Sequence, residues 1–254
     1  MVMAHRQKLL QAFDDLLQPD RFRDVAPNGL QVEGRAEIGK IVSGVTASQR
    51  LIESAIARRA GAIFVHHGLV WRGQDGRIAG WMKRRLALLL QHDINLFAYH
   101  LPLDAHPTLG NNAQLGKRLG LETSRWFGEQ DLGCLGARAD SGSFENAAAL
   151  QAHVEACLGR SVLMVSEEAR PIHRIAWCTG AAQSYFEAAI AAGADAFLTG
   201  EISEPQTHYA RECGAVFLAC GHHATERYGA PAVAAHVADL LSLEHEFVDI
   251  DNPA

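Results

Sequence analysis

Three short stretches of the chain place histidines and carboxylates in patterns that could bind metal ions. The first is FVHHG, in which His66 and His67 close an apolar run. Neighbouring side chains of a regular strand point to opposite faces, so both rings could reach one ion only if the strand breaks. Gly68 would allow that break, and neutral imidazole is a common ligand of first-row transition ions. The structural alternative is one core and one surface histidine.

The second stretch is HLPLDAHPTLGNN, where Asp104 lies between His100 and His106. Pro102 and Pro107 stiffen the loop and would hold the carboxylate in place. A carboxylate has two oxygens, so Asp104 is a candidate ligand that bridges two ions. An ordinary loop in which Asp104 accepts hydrogen bonds from backbone N–H groups would explain the same residues.

The third stretch is GHHATERYG, which we interpret as the start of a helix. His222 and Glu226 are four residues apart, so they project from one face and could hold the same ion. His223 points elsewhere. The alternative is a hydrogen-bonded pair at a helix start, where the helix dipole already favours Glu.

Taken together, these stretches supply more ligands than a single catalytic zinc uses, since such a zinc has three protein ligands and a water. Two ions that share a carboxylate would use all of them, with a bridging hydroxide as nucleophile. Imidazole and carboxylate suit Zn, Mn, Fe and Co alike, so the metal is not identified. The five predicted metal ligands are His66, His67, Asp104, His222 and Glu226.

Three further residues are candidate catalytic groups: Glu201, His106 and His208. Each could carry a proton or orient a metal ligand. For Glu201 and His208, in LTGEISEPQTHYARE, the alternative is a capping carboxylate and a histidine on a helix surface.

The elements that would position these residues alternate between strands and helices along both halves of the chain. Such alternation predicts βαβ units and mostly parallel sheets. Residues 42–68 and 175–201 follow one plan of strand, helix and apolar strand, and Thr46 and Thr179 occupy matching places. We therefore predict two similar, duplicated α/β lobes with the metal site in the cleft between them.

The predicted bounds are 1–125 for the first lobe, 126–170 for a connecting segment with one helix, and 171–254 for the second lobe. The C-terminal elements could also pack back on the first lobe. Residues 126–170 are rich in glycine and show no clear periodicity before the helical stretch ENAAALQAHVEACLG.

The composition limits the class of protein. The net charge of −6 and the pI of about 6.1 disfavour nucleic acid and anionic membranes as partners. No signal peptide or membrane span is predicted, and five scattered cysteines without a C-x-x-C pair suit a reducing compartment, so we expect a cytoplasmic protein. Dinucleotide-binding, P-loop and serine-hydrolase motifs are absent.

Longer motifs resemble a known family. APNGLQVEG, GVTASQ, VHHG, HLPLDAHPTLGNNAQLG, WCTGAAQS, TGEISE and GHHATERYG are very similar to those of the type 2 GTP cyclohydrolase I homologues. The resemblance spans essentially the whole chain. It implies two α/β lobes, a dinuclear metal centre with the five ligands above, and a toroidal homohexamer whose sites face an inner cavity.

The name of that family implies hydrolytic opening of the guanine imidazole ring of GTP. Our leading hypothesis is accordingly a dinuclear metal-dependent hydrolase of the GTP cyclohydrolase type 2 kind, acting on a nucleotide or related heterocycle. No Lys/Arg-rich or Gly-rich loop is placed to bind a triphosphate. The alternative is a ring-shaped metal-binding scaffold or metal-handling protein without turnover. A ring that binds DNA or a protein partner is disfavoured by the net charge.

Overall fold

The computed structural model describes residues 2–167 and 169–254 of the chain. They divide into two compact units, each made of two separate segments of the chain. Unit 1 contains Met1–Gly110 and Gly229–Asp251, and unit 2 contains Asn111–Tyr228 and Asn252–Ala254.

Unit 1 begins with a short strand and an amphipathic helix and ends with a helix and an edge strand. Its strands are β1 (Ala4–His5), β2 (Gly29–Val32), β3 (Glu37–Ile38), β4 (Lys40–Thr46), β5 (Ala62–His67), β6 (Asn95–Ala98) and, from the C-terminal part, β13 (Glu244–Phe247). Its helices are α1 (Arg6–Leu17), α2 (Gln49–Ala57), α3 (Gly80–Gln91), α4 (Leu101–Ala105) and α10 (Gly229–Leu241).

The main sheet of unit 1 has the order β13-β4-β5-β6-β2. Every neighbouring pair is parallel except β2 and β6. Alternate strand residues pack on opposite faces: Phe64 lies with α1 and α10, whereas Val65 lies with α2 and α3. Both faces are covered, which explains why β5 is apolar at successive positions and does not alternate with polar residues.

Unit 2 is built in the same style with more antiparallel pairing. Its strands are β7 (Leu121–Phe127), β8 (Gly133–Arg138), β9 (Leu163–Val165), β10 (Ile175–Trp177), β11 (Ala196–Thr199) and β12 (Val216–Ala219). Its helices are α5 (Asn111–Arg118), α6 (Ala147–Leu158), α7 (Phe186–Ala191), α8 (Glu204–Cys213) and α9 (His222–Glu226).

The sheet of unit 2 has the order β7-β8-β10-β11-β12-β9. The central strands β10, β11 and β12 are parallel, and their neighbours β8 and β9 are antiparallel to them. One face carries Trp177 among leucines of α5 and α6, and the other carries the ring cluster of Phe186, Phe197 and Phe217.

The predicted α/β class and its duplication are confirmed, because β4-β5-β6 and β10-β11-β12 are equivalent runs of three parallel strands. The boundaries between the two units lie at residues 110, 228 and 251, whereas the predicted boundaries are 125 and 170. Residues 126–170 contain the predicted helix, as α6, but also β8 and β9, which the sequence analysis did not predict. Gly133 and Gly136 in β8 let Phe127 and the backbone of Glu122 approach closely. Because glycine has no side chain, it interrupts the hydrophobic pattern by which a strand is predicted from sequence.

Candidate metal centre

The first predicted pair, His66 and His67, ends strand β5 at its carboxyl edge. Nδ1 of His66 lies 3.1 Å from the carbonyl oxygen of Tyr99, which can only accept, so Nδ1 carries the proton and Nε2 has the lone pair. Nδ1 of His67 lies 3.1 Å from Oγ1 of Thr46 on the neighbouring strand. The two ring centroids are 4.4 Å apart, although the residues are adjacent in one strand.

The predicted break at Gly68 is not what brings the two rings together, because both histidines still belong to β5. Gly68 instead makes room for a neighbouring side chain. A Cβ at this position would collide with the amide of Gln31, whose Oε1 accepts a hydrogen bond of 2.8 Å from the Leu69 N–H.

Asp104 lies in the short helix α4, which follows the carboxyl end of β6. Pro102 in its first turn fixes the backbone there, and the carboxylate of Asp104 is 10% exposed. Its Oδ1 is 3.6 Å from Nε2 of His66. Two ligands bound to one ion at about 2.1 Å in tetrahedral geometry lie about 3.4 Å apart, so this spacing suits a shared ion.

His100, which the predicted ligand set leaves out, lies beside these residues. Its ring centroid is 5.0 Å from that of His66 and 5.9 Å from that of His67. One ligand nitrogen from each of the three histidines lies within 4.8 Å of the others. Nδ1 of His100 is 2.7 Å from Oδ1 of Asp24, a residue that the sequence analysis missed entirely.

The side chain of Asp24 is 4% exposed and is held by several hydrogen-bond donors. Its carboxylate accepts hydrogen bonds from the side-chain amide of Asn28, the backbone N–H of Leu101 and ring Nδ1 of His100. Burial alone would raise the pKa of Asp24, but these hydrogen bonds outweigh it and hold the pKa well below its usual range. The carboxylate is therefore ionised and fixes the proton of His100 on Nδ1.

His222 and Glu226 form the second cluster, within unit 2. They lie on one face of α9, with Nε2 of His222 3.0 Å from Oε2 of Glu226, while Nδ1 is 2.7 Å from Oε1 of Glu201. Burial lowers the pKa of His222, but the hydrogen bonds and charges of Glu226 and Glu201 outweigh it and raise the pKa to about 9. The two carboxylates thus favour positive charge at this point, which a divalent ion would supply.

Gly180, three residues after the end of β10, packs directly against His222 and Glu226. Its φ is +70°, and a Cβ built there would collide with Oε1 of Glu226 and lie 3.3 Å from Nε2 of His222. The glycine therefore gives the carboxylate its position.

The remaining predicted catalytic residues lie at three separate places. Glu201 contacts His222, as described above. Nδ1 of His106, at the end of α4, accepts hydrogen bonds from the backbone N–H groups of Thr108 and Leu109. His208 is on the exposed surface of α8, with Nε2 2.8 Å from Oε1 of Glu204 one turn earlier.

The donor set fits divalent first-row transition ions. Imidazole nitrogens and carboxylate oxygens are the ligands such ions prefer, and buried carboxylates are costly unless a cation or hydrogen bonds compensate them. Asp104 and Glu226 are both buried next to imidazoles, so each unit carries a cluster of that chemistry.

These features define an α/β protein with candidate metal-binding clusters, and comparison with known proteins gives its family. Residues 4–253 match the family model described as Duf34/NIF3 (NGG1p interacting factor 3). A protein of Neisseria meningitidis serogroup A, named GTP cyclohydrolase 1 type 2 homolog, is 50% identical over 255 residues, which cover 99% of this chain and 100% of the relative. A Pseudomonas aeruginosa protein of the same name is 47% identical, with 97% of each chain covered. The chain belongs to the Duf34/NIF3 family.

Solved structures agree with this assignment. The one described as protein ybgI, of unknown function, is 43% identical, with a TM-score of 0.94 and coverage of 98% of this chain and 100% of that one. TTHA1606 from Thermus thermophilus is 29% identical, with a TM-score of 0.85 and the same coverage. The family resemblance noted in the sequence is thereby confirmed. Within the described residues, no helix combines the length and apolar character needed to cross a membrane.

Proposed function

We propose that this protein is a dinuclear metal-dependent hydrolase that acts on a nucleotide or a related heterocycle. The observation that carries the proposal is the buried carboxylate of Asp104, 3.6 Å from the lone-pair nitrogen of His66. A lone pair and a carboxylate oxygen can only accept hydrogen bonds, so a cation bound between the two would compensate both groups.

In this proposal, the five predicted ligands hold two divalent ions. They are His66, His67, Asp104, His222 and Glu226. Ions bound there would supply Lewis acidity and activate a water for attack on the substrate.

The chain's own contribution is to orient ligands and to move protons. The Tyr99 carbonyl fixes the tautomer of His66, and Glu201 accepts a hydrogen bond from Nδ1 of His222 in the same way. Glu201 is also partly exposed, so it can exchange protons with solvent and pass them to a leaving group. His106 and His208 are further candidates for proton transfer.

The substrate class is taken from the relatives. Proteins about half identical to this chain are named GTP cyclohydrolase 1 type 2 homolog, which makes GTP the first nucleotide to test. The supporting chemistry is general, since hydrolytic opening of a purine ring needs an activated water and an acid near the departing nitrogen.

We also propose a cytoplasmic homohexamer of toroidal shape. Within the described residues no disulfide joins the five cysteines, which suits a reducing compartment. Exposed apolar side chains between β5 and the start of α3 suit a surface that packs against another subunit: Val70, Ile78 and Trp81 are 47%, 63% and 49% exposed. Light scattering coupled to gel filtration measures the assembly directly.

The test of the hydrolase proposal is a turnover screen. Protein loaded in turn with Mn²⁺, Fe²⁺, Co²⁺ or Zn²⁺ is incubated with GTP, other nucleotides and oxidised nucleotides, and products are separated by liquid chromatography. We expect one metal and substrate pair to turn over in the wild type and not in Asp104→Asn, which keeps the side-chain size and removes a negative ligand.

The matched control is Asp15→Asn, a change of the same type on the exposed face of α1. It should leave turnover unchanged. If the wild type binds two ions per subunit but turns over no substrate with any of the metals, the protein handles metal without catalysis and the hydrolase proposal is wrong.

A further inference from the structure

His100 is the third imidazole of the unit 1 cluster, beside two predicted ligands and 18% exposed. It directly precedes α4, and its backbone N–H donates a 2.7 Å hydrogen bond to Oδ1 of Asn28. The backbone and ring of His100 are thus both anchored to the loop before β2, through Asn28 and Asp24.

The hydrogen bond to Asp24 determines which nitrogen of His100 can bind an ion. Nδ1 donates to an ionised carboxylate at 2.7 Å, so the lone pair of the neutral ring is on Nε2. Metal-binding histidines almost always donate their other N–H to a carboxylate or carbonyl in this manner, which orients the ring and increases its basicity. His66 has the same arrangement with the Tyr99 carbonyl.

Asp24 is built into the fold as a fixed acceptor. Its side chain is 4% exposed, and besides His100 it accepts from Asn28 and from the backbone N–H groups of Val25 and Leu101. A carboxylate with this many donors cannot rotate away from the ring. The Trp71 ring also packs against His100, with centroids 5.1 Å apart and an interplanar angle of 80°, which limits the rotation of the imidazole.

We infer that His100 is a sixth metal ligand, bound through Nε2 and oriented by Asp24. The three imidazoles of unit 1 offer ligand nitrogens within 4.8 Å of one another, and three protein ligands are the number that a catalytic zinc uses. The inference rests on the metal centre proposed above, but it does not depend on any hydrolytic activity.

The experiment measures metal binding and does not depend on turnover of any substrate. Metal-free protein is titrated with Co²⁺, whose visible absorption reports the number and type of ligands, and zinc content is measured by mass spectrometry after gel filtration. The variants are His100→Ala and Asp24→Asn, with His66→Ala as the reference for removal of a predicted ligand. The matched control is His92→Ala, an exposed histidine of unit 1 that follows α3.

For His100→Ala, we expect the affinity for one ion to fall by about 100-fold or more, and the Co²⁺ spectrum at saturation to change. Asp24→Asn keeps the ring but weakens its orientation, so we expect a loss of about 10-fold, at the lower end for removal of a partner that orients a ligand. His92→Ala should bind Co²⁺ like the wild type. Circular dichroism verifies that each variant is folded.

The outcomes separate the two proposals. If His66→Ala loses an ion while His100→Ala keeps the wild-type affinity and spectrum, His100 is not a ligand, and the metal centre itself stands. If the wild type binds no ion, the metal centre and this inference both fail. Should His100→Ala not fold, Asp24→Asn decides, because an unchanged affinity and spectrum in that variant also overturn the inference.

Discussion

Replacement of Gly180 by alanine should displace the Glu226 carboxylate. Gly180 has a φ of +70°, and a Cβ there would lie 3.0 Å from Cδ of Glu226 and closer still to its Oε1. The backbone at Gly180 cannot retreat easily, because its N–H donates to Thr225 and its carbonyl accepts from Thr199. The side chain of Glu226 must therefore move away from His222.

The expected magnitude has two parts. An L-residue in the left-handed region costs about 1–2 kcal/mol, and loss of a hydrogen bond to a charged group costs about 1.5–3 kcal/mol. Gly159→Ala is the matched control, since Gly159 has a φ of +71° with nothing within 4 Å of a Cβ. Gly159→Ala should lose only the stability that the left-handed backbone costs, so the free energies of unfolding of the two variants should differ by about 1.5–3 kcal/mol.

Urea unfolding measures this difference, and Co²⁺ titration measures its effect on the metal centre. Gly180→Ala should bind the ion held by His222 and Glu226 at least about 10-fold more weakly. Loss of a residue that only orients a ligand already lowers metal affinity by this factor, and displacement of a ligand should lower it at least as much. Gly159→Ala should bind it normally. If both variants have the same stability and the same Co²⁺ affinity, the contact between Gly180 and Glu226 does not position the carboxylate.

Two further predictions concern stability. Burial alone would raise the pKa of Asp195, but hydrogen bonds from Arg170 and from two backbone N–H groups outweigh it and lower the pKa. Asp195 therefore stabilises the fold above its unfolded pKa of about 3.9, and that contribution is lost as the pH falls through the lower folded value. The stability difference between wild type and Asp195→Asn, from urea unfolding, should shrink over this acidic range; a constant difference would contradict the assignment. Phe64 is fully buried and stacks on Phe13 at 4.4 Å, so Phe64→Ala should lower the free energy of unfolding by about 3–5 kcal/mol. Leu240→Ala, at a 66% exposed position, should change it by less than about 0.5 kcal/mol, and equal losses would refute the packing argument.

Parts of the fold that depend on local pattern could be predicted from the sequence. The apolar stripe of α1 and the continuous apolar run of β5 follow from helix and strand periodicity, and each was predicted within a few residues. β8 and β9 could not be predicted in this way. β8 contains glycines and pairs with β7, and β9 is three residues long, so neither has a pattern of its own.

The candidate site divides in the same way. His222 and Glu226 are one helical turn apart, so their shared face follows from sequence spacing alone. The sequence also determines that His66 lies at the end of one apolar strand and that Asp104 follows another. The approach of Asp24 to His100 joins residues 76 positions apart, and only the tertiary structure decides it. Antiparallel pairing of β2 with β6 places the loop that carries Asp24, just before β2, beside the carboxyl end of β6, which His100 follows. The physical reason is that hydrogen bonds between distant segments depend on packing, which local sequence patterns do not encode.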